Sequence, residues 1–175
     1  MAETKAPESV KFFVAILYKE EKHLSDAIER LQQRWGAIEY RSSAAHFDVT
    51  DYYKPEMGSP LFRMIITFQP IMPPTELVNM KLHCNEVENV CRRNKKRVVN
   101  LDCGYLDHHK IVLASAKEAG QKVYLDKGIW ADLAARYKHK HFEPFEWSFP
   151  DFKDARYDQI FCEIRARYMK QRRKT

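Results

Sequence analysis

VKFFVAILY, residues 10–18, is the stretch that most narrows the folds open to this chain. It is too short for a stable helix and too rich in Val, Ile and aromatic residues, so it predicts a buried strand. Helical spacing follows at once: Leu24, Ala27, Ile28, Leu31 and Trp35 recur on one face, and Gly36 stands where such a helix would stop. The segment 37–50 is expected to return as one extended strand. LFRMIITFQ, residues 61–69, is expected to pair with it across the corner DYYKPEMGSP. After Pro70, Pro73 and Pro74, Thr75 is the expected N-cap of a second helix with Leu77, Met80, Cys84, Val87 and Cys91 on one face. From Arg97 the period becomes two. RVVNLD leads into CGYL, then HKIVLASAK, KVYLD and IWADLAARY follow with turns at Ala119–Gly120 and Lys127–Gly128, which predicts an antiparallel meander. A last helix is expected to begin near Asp154 and to bury Tyr157, Ile160, Phe161, Ile164 and Tyr168.

This order predicts an α+β fold: a ferredoxin-like β-α-β-β-α-β start, extended by an antiparallel β-meander and a C-terminal helix. With 175 residues, 45% of them hydrophobic, and only five glycines, the chain fits one globular domain. The division expected is a flexible N-terminus over 1–9, the domain over 10–164 and a basic tail over 165–175. That tail carries the whole formal charge of +6, through Arg165, Arg167, Lys170, Arg172, Arg173 and Lys174, and the rest of the chain is balanced. A basic tail is a weaker nucleic-acid footprint than a basic face. CRRNKKR, with Arg92, Arg93, Lys95, Lys96 and Arg97, complements the carboxyl end of the second helix.

Four cysteines without a C-x-x-C pair, and no apolar leader before the first strand, point to a reduced cytoplasmic protein. No apolar run approaches the ~20 residues that span a bilayer. His83 beside Cys84, and His108 with His109 near Cys103, lack zinc-ligand spacing, though a histidine pair can act as acid or base. The phosphate loop, the dinucleotide glycine fingerprint, the serine elbow and the zinc-protease signature are all missing.

Two segments concentrate polar chemistry. In HFDVTDYYKPEMGSPLFR, residues 46–63, strand alternation places His46, Asp48 and Thr50 on one face and Phe47 and Val49 on the other. Pro55 and Gly58 shape the corner, and Arg63 returns to meet Asp48 or Asp51. In NLDCGYL, residues 100–106, Asn100 and Asp102 run toward a glycine turn. If the two strands are neighbours, Asp48, Asp51 and Asp102 form an oxygen-rich patch suited to Mg²⁺. Thr50, Glu56, Arg63, Asn100, Lys110, Ser115 and Lys117 then hold a phosphorylated or nucleotide-like small molecule. The bland alternative is a corner whose charges satisfy one another. The competing functions are a non-catalytic RNA- or protein-binding module, using the basic tail and the aromatics of FEPFEWSFPDF, or a structural subunit. Oligomeric state is open.

At these two motifs the chain resembles a bacterial family, domain of unknown function 4416. Its pattern F-D-F-T-D-Y-Y-E-P-E-M-G-S-P-L-Y-R is matched from Phe47 to Arg63 except at Val49, Lys54 and Phe62, and N-L-D-P-G-Y-L from Asn100 to Leu106 except at position 103. LASAK, VYL and GIWAD resemble further family stretches. Cys103 stands in place of the motif's proline, and Gln121–Lys122 in place of a His-Arg pair. The resemblance spans about residues 10–170 and implies a bacterial protein whose activity the family does not specify.

Overall fold

Strand β1 (Lys11–Tyr18) is buried along its whole length because helices cover both faces of the sheet it centres. In this computed structural model, which describes residues 1–173, its even positions Phe12, Val14, Ile16 and Tyr18 pack under α1 (Glu21–Trp35) and α3 (Leu77–Cys91). Its odd positions Phe13 and Ala15 pack under α5 (Asp158–Arg172). Burying each large apolar side chain contributes roughly 1.5–3 kcal/mol, so this strand is a major source of stability. Lys11 lies within the core because its ammonium meets Glu39 at 3.0 Å and the carbonyl of Phe68 at 2.9 Å.

The remaining elements are β2 (Ile38–Arg41), β3 (Ala45–His46), α2 (Lys54–Met57), β4 (Phe62–Phe68), β5 (Val99–Leu106), β6 (Lys110–Ser115), β7 (Val123–Asp126), β8 (Ile129–Lys138), β9 (His141–Pro144) and α4 (Pro150–Lys153). The fold is α+β, with one antiparallel sheet in the order β2-β4-β1-β5-β6-β8-β7. β3 pairs with β4, and β9 pairs with β8.

Five local expectations are corrected. The strand expected over 37–50 breaks after Arg41 and ends at His46, so Asp48 and Thr50 lie in a loop. The corner after it is a short helix with Pro55 in its first turn, where a missing N–H costs nothing, and Gly58 ends it at φ +81°. Thr75 does not cap α3; Pro74–Glu76 form a 3-10 turn and Glu76 precedes the helix. The meander is reordered, because ten-residue β8 inserts beside β6 and leaves four-residue β7 on the edge. Gly104 makes no turn. It lies within β5, where a Cβ would meet the Val112 carbonyl oxygen at 2.4 Å.

The basic run is a helix rather than a tail through Arg172. Buried Ile164 and Tyr168 anchor it, Arg165 stacks 3.6 Å from the Tyr137 ring centroid, and Arg167 pairs with Glu163 at 2.8 Å. Lys174 and Thr175, the end of that run, lie outside the described residues. Helix α5 also starts later than Asp154, after the separate turn α4. At the other terminus residues 1–9 form no regular element, but Tyr168 donates to the Ser9 carbonyl at 2.9 Å and Arg172 pairs with Glu8 at 3.0 Å. Among the described residues, no helix is long and apolar enough to cross a membrane.

Candidate functional site

The sheet opens between β5 and β6. β5 pairs with β1 along its full length but with β6 only through Gly104, Tyr105 and Leu106. Had the ladder continued, Asp102 would face Ser115 and Asn100 would face Lys117. The strands part instead, leaving a cavity of about 260 Å³. Two side chains of α3 take over the role of the absent neighbour strand: Glu88 accepts from the Leu101 N–H at 2.6 Å, and Lys81 donates to the Leu101 carbonyl at 3.0 Å. An unmet backbone group there would cost about 1–3 kcal/mol, which is why polar residues interrupt the apolar stripe of α3.

Lys81 forms part of the cavity wall and is 8% exposed. Burial works against its ammonium, but the acidic groups around it, Cys103, Asp102, Cys84 and Glu88, outweigh burial and raise its pKa. The side chain stays charged. Its carbonyl contact uses one of three N–H donors. Glu88 is pushed up by burial, against the pull of Lys81.

The β6 wall carries Ser115 and Lys117. Ser115 Oγ accepts from Lys122 Nζ at 2.9 Å, and Lys117 lies 3.4 Å from the Tyr52 hydroxyl. Behind them Asp132, 6% exposed on β8, keeps its Oδ2 3.8 Å from Lys122, while its Oδ1 makes no hydrogen bond of regular geometry. Burial raises the Asp132 pKa, and Lys122 with Gln121 offsets this only in part. Tyr52 and Phe149 stand at the mouth.

Arg63 forms the adjacent structure, a closed ion-pair knot. It is 4% exposed, with Nη1 3.1 Å from Asp102 Oδ2 and Nε 3.2 Å from Asp151 Oδ2. Its guanidinium also covers the Phe47 ring at 4.9 Å. Asn100 donates to Asp102 at 2.9 Å and accepts from Arg97 at 2.8 Å, and Arg97 grips Glu56 at 2.7 Å. Hydrogen bonds from Arg97 hold the Glu56 carboxyl below its ordinary range, whereas burial raises Asp151 despite Arg63. Tyr53, half-buried beside Asp102, is pushed up to about 12, mainly by loss of solvent around its hydroxyl.

The two sequence motifs therefore meet, although not as neighbouring strands. β4 and β1 stand between β3 and β5, and Arg63 and Asn100 share a row on either side of Leu17. That row, rather than the corner loop, decides the partner of Arg63, so the expected pairing with Asp48 or Asp51 is not made. Asp48 pairs with Arg156 at 3.1 Å, which keeps its carboxyl low, and exposed Asp51 pairs with Lys54 at 2.5 Å. Asp48, Asp51 and Asp102 each have a separate cation. Among the described residues no group of three His, Cys, Asp or Glu is placed to hold a metal, so the expected Mg²⁺ patch is not assembled.

Of the ligand candidates, Asn100, Ser115 and Lys117 line the cavity together with Asp102. Glu56 and Arg63 brace it from behind. Thr50 instead shapes the loop by accepting from Tyr52 N at 3.2 Å. Lys110 pairs with Asp107 at the opposite end of β6, roughly 17 Å along the strand from Ser115. His108 and His109 share that distant turn, with ring centroids 3.7 Å apart. Lys81, Arg97, Lys122 and Asp132 were not among the expected ligand residues. For Lys81 a signal existed: like Glu88 it sits within the apolar spacing 77, 80, 84, 87, 91 of α3.

A larger cavity, about 590 Å³, lies between the start of α3 and the β7–β8 hairpin. Its walls are mainly apolar, with Asp126 and Lys127 its charged residues. The smaller cleft is the candidate site because charged groups of perturbed pKa converge there.

A family model described as "Domain of unknown function (DUF4416)" matches residues 8–168. No curated protein and no solved structure matches the chain.

Proposed function

Since the chain belongs to the DUF4416 family, whose description specifies no activity, we propose from its own residues that it binds a phosphorylated small molecule in the cleft between β5 and β6. The buried Lys81 ammonium carries this reading: it faces a cavity and makes no ion pair with the described residues. Asp102 and Glu88 act on this charge from beyond ion-pair distance, and an entering phosphate would give it an anion in direct contact. Lys117, whose ammonium meets the Tyr52 hydroxyl and ring, reaches the same space as a second point charge. The cavity is small for a ligand site, so it suits the phosphate end of a ligand, with any larger group resting at the mouth.

The RNA- or protein-binding alternative draws less support from the C-terminal helix. Arg165, Arg167 and Arg172 are occupied by Tyr137, Glu163 and Glu8, so much of the basic run is already partnered.

The test is thermal unfolding of the full chain with inorganic phosphate, ribose 5-phosphate and nucleoside monophosphates. A ligand at a hundredfold its Kd adds about 2.7 kcal/mol of stability. Lys81→Met and Lys117→Ala should both abolish the shift. Lys117 is exposed enough that its variant folds normally. Absence of any shift, or a shift that survives both substitutions, refutes the reading.

A further inference from the structure

The cleft differs from a simple phosphate receptor in two respects. Its mouth carries aromatic rings that the protein leaves unpacked: Tyr52 is 63% exposed and Phe149 is 45% exposed. Tyr52 is held in place rather than loose, with Tyr53 edge-on at 5.0 Å and the Lys117 ammonium 5.4 Å from its ring centroid. An exposed but fixed ring next to a cation is a surface on which a planar group can stack. The second feature is Asp132. Its carboxylate is more than nine-tenths buried and lines the cavity, yet Oδ1 lacks a regular hydrogen bond. A buried acceptor without a donor is costly, and an ionised carboxylate can only accept. Gln121 and Lys122 offset part of the burial of this carboxylate, and Oδ1 is placed to accept a further N–H or O–H from a ligand.

From these positions we infer that the ligand is a nucleoside monophosphate whose base carries an exocyclic amine, with the base at Tyr52 and Phe149, the amine donating to Asp132 and the phosphate at Lys81 and Lys117. This rests on the phosphate-binding reading above and narrows it. A sugar phosphate would leave the aromatic mouth unused. A base with a carbonyl in place of the amine would set oxygen lone pairs against the Asp132 carboxylate at that position, and its one donor on that edge is a ring N–H set further back than the amine.

The experiment is calorimetric titration of the full chain, at one salt concentration, with two pairs that exchange the exocyclic amine for a carbonyl and the adjacent bare ring nitrogen for an N–H: AMP and IMP, and CMP and UMP. Ribose 5-phosphate is the control without a base. The amine member of each pair should bind about tenfold or more tightly than its partner. Asp132→Asn should bring each pair within about threefold, because an amide can turn either face to the base. Tyr52→Ala, at an exposed position, should weaken all four nucleotides without changing ribose 5-phosphate. Equal affinity within the pairs, or ribose 5-phosphate binding as tightly as AMP, overturns the inference while leaving a phosphate site in place. Failure of every phosphorylated compound to bind refutes both.

Discussion

Arg63 and Lys81 are both buried cations near Asp102, yet their surroundings differ in kind. Arg63 has a carboxylate on each side, Asp102 at 3.1 Å and Asp151 at 3.2 Å, and an aromatic ring against its face. Lys81 touches one backbone carbonyl and an open cavity, with Asp102 and Glu88 acting on it from beyond ion-pair distance. The first arrangement spends its charge on joining β4, β5 and α4. The second keeps charge in reserve at the opening between two strands. Sequence alone treats both as basic residues in apolar surroundings, and only the partner count separates structure from site.

The largest test of this contrast is Arg63→Ala. It strands two carboxylates, one of them deeply buried, so it should cost about 3–5 kcal/mol, read as a fall in the urea midpoint. A loss below about 1 kcal/mol would mean that the knot is not structural. Gly104→Ala comes next. Its Cβ would press on the Val112 carbonyl and the Phe13 ring at the first residue pair joining β5 to β6, at a cost of about 1–3 kcal/mol by equilibrium unfolding.

The cleft should respond in the opposite direction. Asp132→Asn removes a carboxylate that burial disfavours, so it should raise stability at pH 7 by about 0.5–2 kcal/mol, seen as a higher Tm. The sign follows from the raised folded pKa: the cost of ionising Asp132 is complete above that value and disappears as pH falls toward 3.8, so the gap between variant and wild type should close with acid. If Asp132→Asn destabilises at pH 7, Asp132 belongs with the Arg63 knot. The smallest expected effect is at Glu56, whose folded pKa is depressed. Its contribution is present above 4.5 and is lost as pH falls through the folded value, so Glu56→Gln should flatten the acid side of the pH–stability curve.

Much of the fold was legible because it repeats short-range patterns. The apolar spacing located β1, α1, α3 and the buried face of α5 to within a few residues. Strand order was less so. Nothing in the alternation of KVYLD and IWADLAARY specifies that β8 lies beside β6, since that depends on relative lengths and on the seven-residue path from Ser115 to Val123. The site was half visible. Asn100, Asp102, Ser115 and Lys117 line one cavity, whereas Asp48, Asp51 and Lys110 are taken elsewhere by Arg156, Lys54 and Asp107. Those partners, 108 residues away in one case and three in the others, are chosen by loop geometry that residue types do not encode.

The paired hold on Leu101 has an experimental use. In an ordinary strand, slow amide exchange reports on the neighbouring strand; here the Leu101 amide is covered by a glutamate from a helix. Its exchange rate therefore measures the attachment of α3 to the sheet. It provides a single-residue gauge, already built into the backbone, of whether an occupant of the cleft tightens the helix or leaves it as it was.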